Sequence, residues 1–277
     1  MIGSLTMSKK YQIIDSKEIE NRLKISEFKV VATNVQSLDI CQLPNGFLAT
    51  CSGDSFSLYD HKLELIKTFN EINGKKVNTR NIAIDYIDSI YFTDTANDQL
   101  VMCNSAFMYQ RSIGSKGSEK NQFREPCGLF YHKNNKRLYV CDSGNNRVGI
   151  FTSKLEFIKN NLITFRPFEI KIINNVACVR SFNTFDQQLH FYNLPNFTIQ
   201  STYKDFHQPI SVIQNSFYQF DPQNELLYCF DSNGIQIDQI SSTGVRNLIQ
   251  SNSDGILTQF NNQLILLSNK QECLIVI

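Results

Sequence analysis

The feature that most constrains the fold of this 277-residue chain is an internal repeat of about forty residues. Six segments share an apolar run, a small or polar break, and a second apolar run. The break residues are Cys51, Asp94, Asp142, Arg180, Asp231 and Ser268. A β-propeller blade of four antiparallel strands has this period, whereas a helical solenoid would show apolar residues every three or four positions. The sequence therefore predicts an all-β, six-bladed propeller.

Turn-forming residues separate the apolar runs within the repeats, and the third unit shows them most clearly. There Asp142 is followed by Gly144, Asn145 and Asn146, which predicts a turn, because Asp and Asn bond to nearby backbone while Gly and Asn tolerate positive φ. We expect Arg147 to pair with a carboxylate or carbonyl of a neighbouring blade rather than with a ligand. The predicted structural turn residues are Asp94, Asp142, Asn146, Arg147 and Asp231.

The third unit also resembles an NHL repeat. The matching positions are Gly114, Gly117, Phe123, Pro126, Gly128 and Leu129, followed by the run from Leu138 to Val148. Residues 82–100 match less fully, and residues 227–232 match in part. NHL repeats form six-bladed propellers such as the C-terminal domain of TRIM-NHL proteins, so the resemblance implies that fold. It also implies a recognition platform, which in those proteins selects targets for an attached RING ubiquitin ligase.

The two ends of the chain are expected to meet. The last unit reaches Ile277 after three strands, which would leave an open sheet edge. Residues 27–31 have the length and β-branched content of the missing outer strand, so we predict that they close the sixth blade. Residues 1–26 are then a lead-in, with either a short helix at 16–23 or a plain polar segment, and 27–277 form a single propeller, expected to be monomeric.

Composition and spacing argue against several functional classes. The chain has 27 basic and 26 acidic side chains and is 42% hydrophobic, which excludes a polybasic arm or a disordered tail. It shows no signal peptide and no membrane-length apolar run, so we expect a cytoplasmic protein without membrane contact. The eight cysteines and four histidines lack metal-ligand spacing, and a RING is absent. We expect buried reduced thiols, no metal or cofactor, and no enzymatic activity unless another chain or a missing segment supplies a RING.

The predicted binding face consists of the loops that enter each first strand and those that join second and third strands. Its residues are Lys75, Lys76, Arg80, Lys116, Arg124, Arg166, Phe182, Phe185, Lys204, Phe206, His207 and Lys270. Phe168 lies on the same side, where it either contributes an aromatic ring to this face or packs between blades. Cations among aromatic rings suit single-stranded or stem-loop RNA, but a net charge of +1 gives no long-range attraction to phosphate. A protein or peptide partner is therefore favoured, and RNA is the alternative.

Overall fold

The computed structural model describes most of the chain between residues 13 and 276. The described residues are 13–14, 29–33, 39–43, 45–60, 62, 64–87, 89–181, 188–204, 210–213, 215–221, 226–241, 255–260, 263–268 and 273–276. Within these ranges helix is limited to one 3-10 turn, Ser143–Asn145, and no helix is long and apolar enough to cross a membrane. The helix considered at 16–23 lies outside the described residues. The all-β prediction is confirmed.

The N-terminal strands β1 (Ile13–Ile14) and β2 (Lys29–Thr33) join sheets that form later in the chain. The first sheet then follows directly, with β3 (Asp39–Gln42), β4 (Leu48–Cys51), β5 (Phe56–Tyr59) and β6 (Leu65–Phe69). A ribbon of β7 (Glu71–Ile72) and β8 (Lys75–Lys76) leads to the second sheet. That sheet contains β9 (Thr79–Ile84), β10 (Ile90–Asp94), β11 (Gln99–Cys103) and β12 (Tyr109–Ile113).

The third and fourth sheets repeat this antiparallel order. The third contains β13 (Pro126–His132), β14 (Arg137–Asp142), β15 (Arg147–Thr152) and β16 (Phe157–Leu162). The fourth contains β17 (Pro167–Ile173), β18 (Val176–Ser181), β19 (Gln188–Asn193) and β20 (Thr198–Lys204). The first three strands of each sheet are largely apolar because both of their faces are covered by neighbouring sheets. The fourth strands, β16 and β20, are more polar and more exposed.

The last two sheets each take a strand from the N-terminal part of the chain. β21 (Ser211–Ile213), β22 (Ser216–Asp221), β23 (Leu226–Phe230) and β24 (Gln236–Ser241) form a sheet to which β1 adds in parallel. β25 (Gly255–Phe260), β26 (Gln263–Ser268) and β27 (Cys273–Val276) pair at their outer edge with β2. The strand expected at 27–31 is thus found two residues later, on the expected edge.

Contacts between the first strands arrange the sheets in a ring. The described residues form five four-stranded sheets, one five-stranded sheet and the two-stranded ribbon. Each first strand contacts the first strand of the next sheet, in the order β3, β9, β13, β17, β21 and β25, and β25 contacts β3 again. Apolar clusters fill the spaces between neighbouring sheets; in the first, Phe56 stacks on Phe92 and Phe107.

Two assignments within the repeats need correction. Residues 227–230 belong to β23, the third strand of their sheet, so Asp231 lies in the turn between the third and fourth strands, not between the second and third. Asp231 accepts hydrogen bonds there from the backbone N–H groups of Asn233 (2.9 Å) and Ile235 (2.8 Å). His132 is the last residue of β13 and lies outside the turn that follows. The register was misread because strands covered on both faces share one apolar pattern.

Candidate functional site: the entry face and the channel mouth

Strand direction places most of the predicted binding residues at one end of the ring. In each antiparallel sheet the start of the first strand, the turn between second and third strands, and the end of the fourth strand share one end, here called the entry face. Lys75, Lys76, Arg80, Lys116, Arg124, Arg166 and Lys204 belong to segments at this end. Phe182, Phe185, Phe206, His207 and Lys270 lie outside the described residues.

The cations of the entry face differ in their surroundings. Lys75, Lys76, Lys116, Arg124 and Lys204 are exposed. Arg124 also covers Gly144, since a Cβ on that glycine would lie 2.4 Å from the Arg124 Cγ. Arg166 forms an exposed ion pair with Glu125. An exposed pair of this kind contributes little to stability and partly cancels the positive field, as the neighbouring acidic residues led us to expect.

Arg147 is committed to the protein itself. It is buried at the start of β15, and its Nε donates to the Asp142 carboxylate at 2.7 Å. Its terminal nitrogens donate to the backbone carbonyls of Ser118, Glu119 (2.9 Å) and Gln122 (2.7 Å). Its partners thus belong to its own sheet and entry loop, not to a neighbouring blade as we expected. This guanidinium holds the loop that enters the third sheet and has little capacity left for a ligand.

Asp142 is the centre of the same turn. One carboxylate oxygen accepts the backbone N–H of Arg124 at 2.7 Å, and the other accepts the Asn145 side-chain amide at 2.8 Å as well as Arg147. Burial raises the pKa of Asp142, an effect that these hydrogen bonds partly offset. Asn146 adopts the left-handed conformation, with φ of 49°, that ends the turn.

Asp94 occupies the corresponding position at the end of β10. Its carboxylate accepts the backbone N–H of Asn78 at 3.1 Å and the side-chain amide of Asn97 at 2.7 Å. Like Asp142, it connects the loop that enters its own sheet to the turn after the second strand. Asp94 and Asp142 thus perform the same structural role in neighbouring sheets.

Arg80, Phe168 and Arg180 meet at the mouth of the central channel. Arg80 lies in β9, Phe168 in β17 and Arg180 in β18. The guanidinium of Arg180 is 5.0 Å from the centre of the Phe168 ring, and that of Arg80 is 5.9 Å from it. Cation–π contacts of this kind hold planar cations against an aromatic face. Phe168 therefore carries a cluster of positive charge rather than serving only as packing between blades.

Only one of the two arginines in this cluster has a counter-ion in the described part of the chain. The Nε of Arg180 donates to Glu169 at 3.1 Å. Arg80 is half-buried, its Nε is buried without an acceptor, and no described carboxylate lies within ion-pair distance of it. A guanidinium removed from water without an acceptor is unfavourable, so Arg80 is suited to receive an acceptor from outside the chain.

Acceptor side chains on the first strands connect neighbouring sheets just inside the mouth. Asp39 in β3 accepts the backbone N–H of Ile82 at 3.1 Å. Asn81 in β9 accepts that of Leu129 at 2.9 Å. Glu169 in β17 likewise accepts the backbone N–H of Ile210 at 3.1 Å. These bonds connect β3 to β9, β9 to β13, and β17 to the residue that precedes β21.

Sequence reasoning missed Arg180, Glu169 and Lys171 as residues of the channel. The signal was present, because Glu169 and Lys171 are charged residues inside the otherwise apolar run from Pro167 to Ile173. A charged residue in a strand that is covered on both faces has to point toward a partner or a cavity. What the sequence does not show is which residues of other sheets they meet.

The cysteine and histidine side chains of the described residues are mostly buried. No group of three His, Cys, Asp or Glu side chains is placed there to hold a metal ion. Seven cysteines are free thiols, and burial raises the pKa of Cys41 and of Cys103 to about 12. Thiols with pKa values that high are protonated at neutral pH and are poor nucleophiles. Burial lowers the pKa of His132, which favours its neutral form.

Comparison with known proteins identifies the fold but not a family. No family profile and no curated sequence matches the chain. The structure is similar to the β-propeller domain of Myceliophteria thermophila Cps50 (Swd1), with a TM-score of 0.58, 8% identity, and coverage of 90% of this chain and 99% of that one. It is also similar to U3-55K, with a TM-score of 0.60, 6% identity, and coverage of 91% and 98%. A third similar structure is virginiamycin B lyase from Staphylococcus aureus. Its TM-score is 0.57 and its sequence identity is 10%, and the match covers 90% of this chain and 99% of that one. The chain is therefore an all-β propeller.

Proposed function

We propose that this protein is a non-enzymatic recognition scaffold that binds a protein or peptide partner on its entry face. In this proposal each of the six multi-stranded sheets is one blade, and β2 completes the last one. The observation that carries the function is the Arg80, Phe168 and Arg180 cluster at the channel mouth, in which Arg80 lacks an acceptor.

The cluster suits an acidic side chain of a partner. A partner carboxylate would supply the acceptor that Arg80 lacks, and the half-buried setting strengthens such a contact relative to an exposed ion pair. Arginine and aromatic side chains near the centre of a surface are also the residues that contribute most to protein–protein binding.

The resemblance to NHL repeats supports the same kind of function. It is densest in the third sheet, where Asp142 and Arg147 organise the entry loop. A role in selecting targets for a ubiquitin ligase remains a prediction from that resemblance, and a cytoplasmic location remains a prediction from the sequence. A RING would have to come from another chain or from a segment outside this sequence.

A peptide selection tests the proposed function. The full chain is immobilised and challenged with a library of short random peptides. We expect enriched peptides to contain Asp or Glu and to lose binding to Arg80→Glu. Lys204→Glu, which reverses an exposed charge of the same face, is the matched control and should retain the peptides. Failure to enrich any peptide, or equal binding to Arg80→Glu, would count against the proposal.

RNA is the alternative outcome of the same assay. Labelled oligouridine and an RNA stem-loop are titrated at several salt concentrations. If RNA is the ligand, its affinity should fall steeply with salt, because phosphate contacts release counter-ions. The double variant with Arg80→Glu and Arg124→Glu should then abolish binding without changing thermal stability. Tight, salt-sensitive binding lost in that variant would replace the peptide proposal.

A further inference from the structure

A cavity lies in the central channel between the first strands of the sheets. Its volume is about 610 Å³, which lies in the range of small-molecule sites. It is lined by residues 39–43, 82–85, 129–131 and 210–212, and its charged side chains are Asp39, Asp85, Lys133 and Lys171. Ile84, Phe130 and Val212 are half-buried apolar residues of this lining. The cavity therefore combines apolar walls with the few charged groups described next.

Asp39 and Lys171 form a loosely joined pair of opposite charges in this cavity. The Lys171 Nζ is 3.5 Å from Asp39 Oδ1 and 4.0 Å from Glu169 Oε1. Charge-assisted N–H···O bonds are normally 2.7–2.9 Å long, so neither contact is a close hydrogen bond. The exposed fraction is 16% for the Lys171 side chain and 5% for that of Asp39. An ammonium with unused donors thus lies beside a carboxylate oxygen with unused lone pairs.

The fold itself does not require a charge at position 39. Asp39, Asn81 and Glu169 perform the same structural task, since each accepts the backbone N–H of the next first strand. Asn81 does so with a neutral amide at 2.9 Å, the shortest of the three bonds. The charge of Asp39 is therefore in excess of what the contact between the sheets requires. Burying that charge and the charge of Lys171 is costly, and such pairs are weak evidence for a purely stabilising role.

We propose that the Asp39 and Lys171 pair is a binding site for a small zwitterion with an aliphatic body, the class to which free aliphatic amino acids belong. The ligand carboxylate accepts hydrogen bonds from the Lys171 ammonium, and the ligand ammonium donates to Asp39. The ligand carries both charges, so the net charge of the cavity stays unchanged when it binds. Its aliphatic part lies against Ile84, Phe130 and Val212. This site adjoins the channel-mouth cluster through Glu169, which pairs with Arg180 and lies 4.0 Å from Lys171. Binding of the zwitterion does not require the acidic partner proposed for the entry face.

Three related compounds test the charge pattern by calorimetry on the full chain at neutral pH. L-leucine carries both charges, 4-methylpentanoate lacks the ammonium, and 3-methylbutylamine lacks the carboxylate. We expect leucine to bind with a dissociation constant of about 1 mM or lower, and each analogue to bind at least about tenfold more weakly. Each analogue leaves one charge of the pair without its match.

Single substitutions should reverse this preference. Asp39→Asn keeps an acceptor like that of Asn81 and leaves Lys171 as the remaining charge, so 4-methylpentanoate should then bind better than leucine. Lys171→Gln should favour 3-methylbutylamine in the same way, and it tests the site independently if Asp39→Asn does not fold. Lys136→Gln, an exposed control that does not line the cavity, should change nothing. The proposal is overturned if leucine does not bind the wild type at that level, or if the order of the three compounds is the same in a folded Lys171→Gln variant.

Discussion

Arg147 and Arg80 lie in segments of the same face of the ring, yet they have opposite surroundings. Arg147 is buried and donates to one carboxylate and three backbone carbonyls. Arg80 is half-buried, contacts the Phe168 ring, and has no acceptor among the described residues. The comparison shows that counting cations on a surface does not reveal how many are available to a partner. Arg147 stabilises the entry loop, whereas Arg80 has no acceptor among the described residues and is the arginine that we propose binds the partner.

The largest expected effect on the free energy of unfolding comes from substitution of Arg147. Arg147→Met leaves the Asp142 carboxylate buried without its charge partner and removes the donors to residues 118–122. We expect a loss of about 3–5 kcal/mol in the free energy of unfolding, measured by urea denaturation. Arg111→Met, which replaces an exposed arginine on β12, should change stability by less than about 0.5 kcal/mol. Similar values for the two variants would contradict the structural role of Arg147.

A second pair of variants asks whether the channel mouth is built as tightly as the Arg147 loop. A Cβ on Gly128 would lie 2.7 Å from the backbone of Phe168 and of Glu169. The three atoms nearest to a Cβ on Gly144 would be Cγ, Cδ and Cβ of Arg124, at 2.4, 2.7 and 2.9 Å, and this exposed side chain can change its rotamer. Gly128→Ala should therefore cost about 1–3 kcal/mol in thermal or urea unfolding. Gly144→Ala should cost less, and the reverse order would show that the mouth is adaptable.

His132, like Arg80, has buried polar atoms without a hydrogen-bond partner, and we expect its effect to be on the pH dependence of stability. Both of its ring nitrogens are buried without a hydrogen-bond partner, and burial lowers its pKa. The unfolded chain then takes up a proton first, so stability should fall as the pH drops below about 6.5, the ordinary histidine value. His132→Phe should reduce the loss of stability between neutral and mildly acidic pH, measured by urea unfolding at each pH. An unchanged pH dependence would show that this histidine is not responsible.

The smallest expected effect on stability is at Arg80 itself. Arg80→Gln removes no ion pair and no hydrogen bond to the described residues, so the free energy of unfolding should change by less than about 0.5 kcal/mol. Thermal unfolding of the wild type and the variant would measure it. A large loss would mean that Arg80, like Arg147, has a structural partner and is not free to bind.

The sequence predicted the repeating strands well and the site only in part. The apolar runs and turn residues located the strands of the third sheet to within a few residues, because alternation of apolar runs with Asp, Asn and Gly is local information. The position of Asp231 was misassigned, since second and third strands look alike when both faces are covered. Strand β2 was found because an unfilled sheet edge demands a partner.

The channel mouth could not be predicted because its parts are distant in the chain. Arg80 and Phe168 come from different sheets, and only closure of the ring brings them together. The same is true of Asp39 and Lys171 in the cavity. The sequence named Arg80 as one cation among many, whereas the structure distinguishes it from the others by its missing acceptor.

The central claim is that Arg80 receives an acidic group of the partner. The most direct test is the dissociation constant of a selected peptide for the wild type, for Arg80→Gln and for the control Lys204→Gln. The account predicts that Arg80→Gln weakens binding at least about tenfold, with an unchanged melting temperature, while Lys204→Gln changes it little. An affinity unaffected by Arg80→Gln, or an equal loss in both variants, would contradict it.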